Sequence, residues 1–232
     1  MTSAWVAIDR GIRLAERRSF PYPFALWRST RDAIYHDIHR HFWDPRRQAF
    51  VQAKGGHALD ASALLMPMLK FISPTDARFL STLRAIEADL VEDAHVFRYR
   101  IGEAASDGLE AGEGAFTTCS FWYAEALARA GDVQQARFVF EKMLGYANHV
   151  GLYAEELGLH GEHLGNHPQA FTHLALISAA FTIDRKLSDA GWIACRADRH
   201  CRHRFEAPRA SRRCRSMIPA DRPAGRGDAG SR

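Results

Sequence analysis

The sequence predicts an all-α fold in which buried helices alternate with half-exposed ones. Apolar residues recur at helical spacing through most of residues 1–186, and the alternation typical of a strand is confined to residues 48–52. Three segments are apolar around most of their circumference and must be covered on all sides, namely 58–71, 115–130 and 168–184. Inner helices backed by outer ones describe either a helical toroid or a superhelical repeat.

The first helix is predicted at 3–18 and the second at 25–42. One face of the first is apolar, with Asp9 on its flank, and carries Trp5, Ile8, Ile12 and Ala15. Pro21 and Pro23 end this helix, because proline removes a backbone donor and clashes with the preceding turn. The second helix closes before a Trp-Asp-Pro turn.

The middle and end of the chain continue the alternation. The segment 76–93 is amphipathic, with one apolar face for the core. A buried, Phe-rich helix at 115–130 is followed after a short turn by an amphipathic helix at 132–145. Pro168 can open the last helix, predicted at 168–184, because the first helical turn needs no N–H from it.

A repeat protein is the alternative to a toroid. Residues 121–140 nearly match the tetratricopeptide pattern, with Gly131 after the first helix and small-then-aromatic packing in the second. A solenoid needs about three such units to bury a continuous core, and the sequence contains one. A non-catalytic helical interaction module is therefore the second hypothesis.

The sequence gives little indication of a metal site or of disulfide bonds. His36 and His39 lie one helical turn apart, a spacing that could seat a metal, but no third ligand accompanies them. Cys119 lies in an apolar helix, and the other cysteines belong to a polar tail: Cys195, Cys201 and Cys214. We therefore expect surface histidines, free thiols and no metal site.

The charge of the chain is concentrated in its tail. The 232 residues carry a net charge of +4, but 191–232 alone hold eleven arginines against four acids. This stretch has no hydrophobic period, so 187–232 are expected to be a disordered, Arg-rich tail. Its composition, without lysine, is typical of out-of-frame reading of a GC-rich gene. A basic arm for nucleic acid is the alternative, and no other nucleic-acid partner is expected.

Apolar runs in the chain are too short for a membrane span. None approaches the roughly 18 residues that a spanning helix requires, and no basic segment followed by an apolar core opens the sequence. These features predict a cytoplasmic protein with no membrane partner.

Adjacent carboxylates occupy a predicted turn before the last helix. Glu155 and Glu156 lie beside a Gly/Asn/His loop, which makes them candidate catalytic groups, although most Glu-Glu pairs are solvated helix ends. Consecutive residues in a helix or turn point in different directions, so only one of the two can face a given cavity. Glu113, between two glycines before an inner helix, is another candidate pocket carboxylate, with packing or capping as its alternative role.

Several blocks, in order, resemble the C-terminal part of the catalytic domain of the glucoamylase family, glycoside hydrolase family 15. The similarity runs from Ala4 to about Asp184, and its blocks are 4–15, 59–62, 97–99, 112–122, 151–156 and 166–174. It implies that residues 1–186 form part of an (α/α)6 barrel of the six-hairpin glycosidase type. The implied activity is hydrolysis, with inversion, of α-glucosidic bonds in starch oligosaccharides or trehalose, with no cofactor.

The resemblance also implies roles for individual residues. Glu155 aligns with the general base that activates the attacking water, and Glu156 with a flanking polar position. Arg98 matches an arginine that holds sugar hydroxyls, and Tyr99 would line the same pocket. Glu113 would be a further substrate-binding carboxylate.

One family element is expected to be missing. In the family, the general acid lies in a Trp-Glu block just upstream of the helix that opens this sequence. We therefore expect a fragment that is inactive alone, with a split enzyme completed by another chain as the alternative. Uncovered inner helices would then promote non-specific self-association.

Overall fold

The structure is a computed structural model that describes residues 2–100, 114–158 and 160–197, with side chains as far as Asp189. Glu113 and residues 198–232 therefore lie outside the described residues. The chain divides into two compact units, residues 1–192 and residues 193–232, and the first contains every described side chain.

Helices dominate the described residues, as the sequence predicts. They are α1 (Ser3–Arg18), α2 (Phe24–His41), a 3-10 helix (Ala61–Leu65), α3 (Ala77–Leu90), α4 (Thr117–Ala130), α5 (Val133–Leu144) and α6 (Ala170–Ala197). α4 and α5 form a packed pair, and α1 packs against α2. Gly131 ends α4 with φ +111°, a left-handed conformation that glycine adopts without strain.

The strands are two residues long and form three small antiparallel sheets. They are β1 (Trp43–Asp44), β2 (Ala49–Phe50), β3 (Val91–Glu92), β4 (His95–Val96), β5 (Ala115–Phe116), β6 (Glu156–Leu157) and β7 (His163–Leu164). β1 pairs with β2, β3 with β4, and β5, β6 and β7 form a sheet in that order. The segment predicted to alternate at 48–52 contains β2.

The buried helix predicted at 58–71 is wrong in type. The segment is buried or half-buried except at Lys70, but only Ala61–Leu65 is helical, as a 3-10 turn, and residues 66–70 are turns. Pro67 explains the difference, because a proline inside an α-helix lacks the N–H and clashes with the carbonyl four residues earlier. Lys70, with φ +62°, ends the segment.

The apolar face predicted for α1 contains a buried carboxylate. Trp5, Ile12 and Ala15 are buried as expected, but Asp9, predicted on the flank, is only 3% exposed. Its Oδ2 accepts from Arg10 Nη1 at 2.5 Å and from Arg13 Nε at 2.7 Å. A buried charge needs such partners, so the two arginines make the position tolerable.

The last helix is longer than predicted. α6 runs to Ala197, past the expected end at 184 and across the boundary between residues 186 and 187 at which the composition changes. One side of α6 is exposed and apolar, and we call it the α6 stripe: Phe171 (70% exposed), Leu174 (62%), Ile177 (63%) and Phe181 (68%). Among the segments expected to have uncovered apolar faces, α6 has one, whereas α4 is buried over most of its residues. Self-association through such faces stays a prediction.

Within the described ranges, no group of three or more His, Cys, Asp or Glu side chains could hold a metal ion. His36 is exposed, and His39 is half-buried against Phe71, with ring centroids 5.4 Å apart. No helix in the same ranges is long and apolar enough to cross a membrane.

Candidate active site

A pocket of about 340 Å³ lies where the 3-10 helix, α4 and α6 begin. Its charged lining groups are Asp60, Arg98 and Glu155. Its neutral polar groups are Ser62, Thr118, Gln169 and Thr172, and its remaining lining residues are Phe116, Cys119, Trp122 and Phe171. A concave, largely apolar surface with a few convergent polar groups is typical of a small-molecule site.

Glu155 is positioned by the three-stranded sheet. In the register of β6 and β7, Glu156 pairs with Leu164, so Glu155 lies one residue beyond the paired strands. Its N–H donates to the Asn166 carbonyl at 2.9 Å, and its carbonyl accepts from the Thr117 N–H at 3.0 Å. The backbone of Glu155 is therefore held between the loop after β7 and the start of α4.

The carboxylate of Glu155 is held through one oxygen. Oε2 accepts from the Asn166 N–H at 3.1 Å and from Asn166 Nδ2 at 2.7 Å. Oε1 has no hydrogen bond to any other described residue. This arrangement fixes the orientation of the side chain and leaves its second oxygen for a ligand or water.

A glycine permits the close approach of the loop to Glu155. Gly165 has φ +70°, and a Cβ at this position would lie 3.0 Å from Glu155 Oε2 and 3.1 Å from Glu155 Cβ. Any other residue would meet both a left-handed backbone and the carboxylate itself. The Gly165-Asn166 pair is therefore part of the support for Glu155.

Arg98 lies two residues after the end of β4, next to the start of the 3-10 helix. Its carbonyl accepts from the Ala61 N–H at 2.8 Å, which joins this segment to the first residue of that helix. Its guanidinium carbon lies 5.6 Å from the centroid of the Tyr99 ring and 5.9 Å from that of Phe116. Among the described residues the guanidinium has no carboxylate partner, so its donors are available to a polar ligand.

The pocket wall formed by the start of α4 is largely buried. Cys119 is 1% exposed, and burial raises the pKa of its thiol, which keeps the sulfur protonated. Thr118 Oγ1 is buried with no hydrogen-bond partner among the described residues. Trp122, one turn further along α4, adds a flat apolar surface.

The residues predicted for the site are only partly brought together. Glu155 and Arg98 line one pocket. Glu156 does not line it, and its Oε2 instead accepts from the Gly114 N–H at 2.8 Å. Tyr99 supports the guanidinium of Arg98 without lining the pocket. Glu113 lies outside the described residues, so its role stays a prediction.

Two polar residues of the site had no role in the sequence prediction. Asn166 belonged to the loop before the last helix, and its position opposite Glu155 depends on a hairpin of two-residue strands. Asp60 begins the 3-10 helix, where its Oδ1 accepts from the Ser62 N–H at 2.7 Å. The Gly-Asn pair in the sequence indicates a turn at Asn166. An Asp before an apolar run indicates a helix cap at Asp60.

A larger cavity, about 690 Å³, lies on α1 and is a weaker candidate. It is lined by Arg10, Arg13, Leu14, Glu16, Arg17 and Lys70. Two of its arginines already pair with Asp9, and Glu16 pairs with Arg28 at 2.7 Å. Its charged groups are therefore largely engaged in structural pairs, whereas those of the smaller pocket form no ion pair with another described residue.

Comparison with known families and curated proteins gives a consistent result. The family described as "Glycosyl hydrolases family 15" matches residues 1–181. The trehalase of Mycobacterium tuberculosis is 46% identical over 187 residues, which are 80% of this chain and 27% of that protein. The trehalase of Thermoplasma acidophilum is 38% identical over 179 residues, 76% of this chain and 30% of that protein. The chain thus spans less than a third of the length of these relatives.

Solved structures with the same fold are also glycosidases. A wild-type glycosidase superimposes with a TM-score of 0.58 at 21% identity, covering 72% of this chain and 46% of that one. A glycosidase variant in complex with glucose gives a TM-score of 0.59 at 20% identity, with the same coverage. At this identity the likeness concerns the fold, and it confirms the predicted helical, six-hairpin glycosidase type.

Proposed function

The chain belongs to glycosyl hydrolases family 15, and from that premise we propose that its pocket binds one glucosyl unit of an α-glucoside and that Glu155 is the general base of an inverting hydrolysis. The observation that carries this proposal is the state of the Glu155 side chain. One carboxylate oxygen is held by Asn166, and the other has no hydrogen bond to a described residue. The pocket also contains the guanidinium of Arg98, which forms no ion pair with a described carboxylate.

The base would act on a water molecule. Oε1 of Glu155 accepts a proton from the water as its oxygen attacks the anomeric carbon, and the bond from that carbon to the leaving oxygen breaks. Asn166 keeps the carboxylate from rotating during this step. Attack opposite to the leaving group converts the attacked α-glucosyl unit into β-glucose. The leaving glucose of trehalose keeps its α configuration, so the ratio of the two anomers formed first reports the mechanism.

The leaving oxygen must receive a proton from a second carboxylic acid, about 6.5–9.5 Å from the base in an inverting enzyme. In our proposal this donor belongs to the part of the family fold to which the chain does not align, since the chain spans 27% of its M. tuberculosis relative. The 232-residue chain alone would then hydrolyse glycosides poorly.

The pocket suits a sugar ring. Its volume of about 340 Å³ is at the lower end of the range of small-molecule sites. Trp122 and Phe116 offer apolar surfaces for the ring, and Arg98 offers donors for hydroxyl oxygens. Among α-glucosides we favour trehalose, because curated relatives of this chain are named trehalases. Starch oligosaccharides such as maltose are the second substrate class.

A chimera tests the proposal in an intact enzyme. The matched 187-residue segment of the M. tuberculosis trehalase is replaced by the corresponding segment of this chain. We expect release of glucose from trehalose, slower release from maltose, and by NMR one β-glucose for each α-glucose formed first from trehalose. Formation of α-glucose alone, or activity that survives Glu155→Gln undiminished, would contradict the proposed mechanism.

A further inference from the structure

Asp60 is the second described carboxylate in the pocket, and the support of the general base does not involve it. We infer that Asp60 accepts a hydrogen bond from a hydroxyl group of the bound sugar and, together with Arg98, selects a ligand with two adjacent hydroxyls. This inference rests on the proposed function, because it concerns the same glucosyl pocket.

The geometry of Asp60 leaves half of its carboxylate for a ligand. Oδ1 accepts from the Ser62 N–H at 2.7 Å, which caps the 3-10 helix and fixes the side chain. Oδ2 has no hydrogen bond to any residue that the structure describes. A simple capping role uses one oxygen and does not require the side chain to line a cavity, whereas Asp60 does line the pocket.

Asp60 and Arg98 are neighbours with opposite charge that do not pair. The Ala61 N–H donates to the Arg98 carbonyl at 2.8 Å, so the two side chains leave adjacent backbone segments and line one cavity. No ion pair joins the side chains of Asp60 and Arg98. Both charges act on the buried thiol of Cys119, Asp60 raising its pKa and Arg98 lowering it, which agrees with their common position beside that residue.

A sugar diol satisfies both groups at once. One hydroxyl donates its proton to Oδ2 of Asp60, and its neighbour accepts from the guanidinium of Arg98, so the two charges are joined through the ligand. A hydrogen bond to a charged group is among the stronger kinds in proteins, and a site built for a hydroxyl discriminates against analogues that lack it. Asp60 would thus be a specificity-determining residue.

The matched control is a second capping aspartate. Oδ1 of Asp76 accepts from the Arg78 N–H at 2.8 Å, two residues ahead, as Oδ1 of Asp60 does from the Ser62 N–H, but Asp76 does not line the pocket. Asp60→Asn and Asp76→Asn both keep an oxygen for the cap. Asp60→Ser, which also caps, replaces the first variant if that one fails to fold in thermal unfolding.

Glucose and its monodeoxy analogues are titrated into the full 232-residue chain by ligand-detected NMR. We expect Asp60→Asn to weaken glucose binding about tenfold or more and Asp76→Asn to leave it unchanged, since one charged hydrogen bond is lost in the first only. One monodeoxy analogue should bind wild type and Asp60→Asn equally weakly, because it already lacks the hydroxyl that Asp60 accepts from.

The contrary outcomes separate this inference from the proposed function. If Arg98→Ala loses glucose while Asp60→Asn binds it as wild type does, Asp60 is a cap only and the sugar pocket stands. If removal of each hydroxyl weakens binding by the same factor in wild type and in Asp60→Asn, no hydroxyl depends on Asp60. The effect of Asp60 is then indirect and the inference is wrong. If the folded wild-type chain binds no glucose, both the inference and the proposed pocket fail.

Discussion

Asn166 holds a single oxygen of Glu155 with two hydrogen bonds, from its backbone N–H at 3.1 Å and from its side-chain amide at 2.7 Å. The contact depends on the β6–β7 hairpin, which returns the chain to the position opposite Glu155. A carboxylate held in this way keeps one orientation and leaves its other oxygen for a water molecule, as the proposed role of Glu155 requires.

Replacing Glu155 by glutamine should abolish turnover while sugar binding persists. The amide has nearly the same shape but cannot accept the proton of the attacking water, so we expect kcat of the chimera to fall by about 10²–10⁴ with little change in glucose affinity. Glu156→Gln is the control, because its carboxylate bonds to the Gly114 N–H outside the pocket. A larger loss for Glu156→Gln would mean that the wrong carboxylate has been chosen.

Gly165→Ala should damage the site as well as the backbone. At φ +70° alanine pays about 1–2 kcal/mol of strain, and its Cβ would also press on Glu155 at 3.0 Å. Gly151→Ala is matched, since Gly151 has φ +79° but open space around the position of a Cβ. We expect both variants to lower Tm and only Gly165→Ala to lower kcat of the chimera, by tenfold or more. Equal kcat in the two variants would argue against the role of this loop.

The sequence predicted what depends on short-range pattern and on family resemblance. Helix spacing located α1, α3, α4 and α5 closely. Pro67 shows the limit of the pattern, because an apolar run of helical length became a 3-10 turn at one residue. Glu155 could be proposed as a pocket carboxylate from its sequence block, and it does line the pocket. Asn166 could not be assigned to it, since their contact spans eleven residues and follows from strand register. Asp60 reads as a helix cap, and only the folded chain brings it beside Arg98.

Stability should fall as the solution is acidified below about pH 6.5, in part because of His39. Burial lowers the pKa of His39 below its ordinary value of 6.5, and the nearby Arg78 lowers it further. The unfolded chain therefore takes up a proton at a pH where the folded chain does not. The contribution of neutral His39 to the free energy of unfolding is fully present above pH 6.5 and decreases as the pH falls towards the folded pKa.

Thermal unfolding from about pH 7 to pH 5 tests this dependence. His39→Phe keeps an aromatic ring against Phe71 and removes the titrating group, so Tm should decrease less with acidification than in the wild type. His36→Phe, on the exposed side of the same helix, should leave the wild-type slope unchanged. Identical slopes for all three proteins would exclude His39 as the source.

The 232-residue chain alone should release little glucose from trehalose, maltose or maltotriose. In the proposed mechanism Glu155 supplies only the base, and loss of an acid step typically costs about 10²–10⁴ in rate. Adding the non-matching part of the M. tuberculosis relative as a separate polypeptide should raise the rate if the two parts associate. Robust turnover by the chain alone, abolished by Glu155→Gln, would instead identify a proton donor within these residues, with Asp60 and Glu113 as the carboxylates to test.

The α6 stripe should make the chain self-associate. Phe171, Leu174, Ile177 and Phe181 lie along one side of a single helix, each more than 60% exposed, and contiguous apolar surface of this kind is normally covered in soluble proteins. We expect sedimentation velocity to detect oligomers of the wild-type chain and the double variant Leu174→Lys, Phe181→Lys to shift them towards monomer. Because both side chains are exposed, these changes should cost little stability. Phe138→Lys, at a 58% exposed position on α5, is the control and should leave the oligomers in place. A wild-type chain that sediments as a monomer would show that the α6 stripe does not drive association.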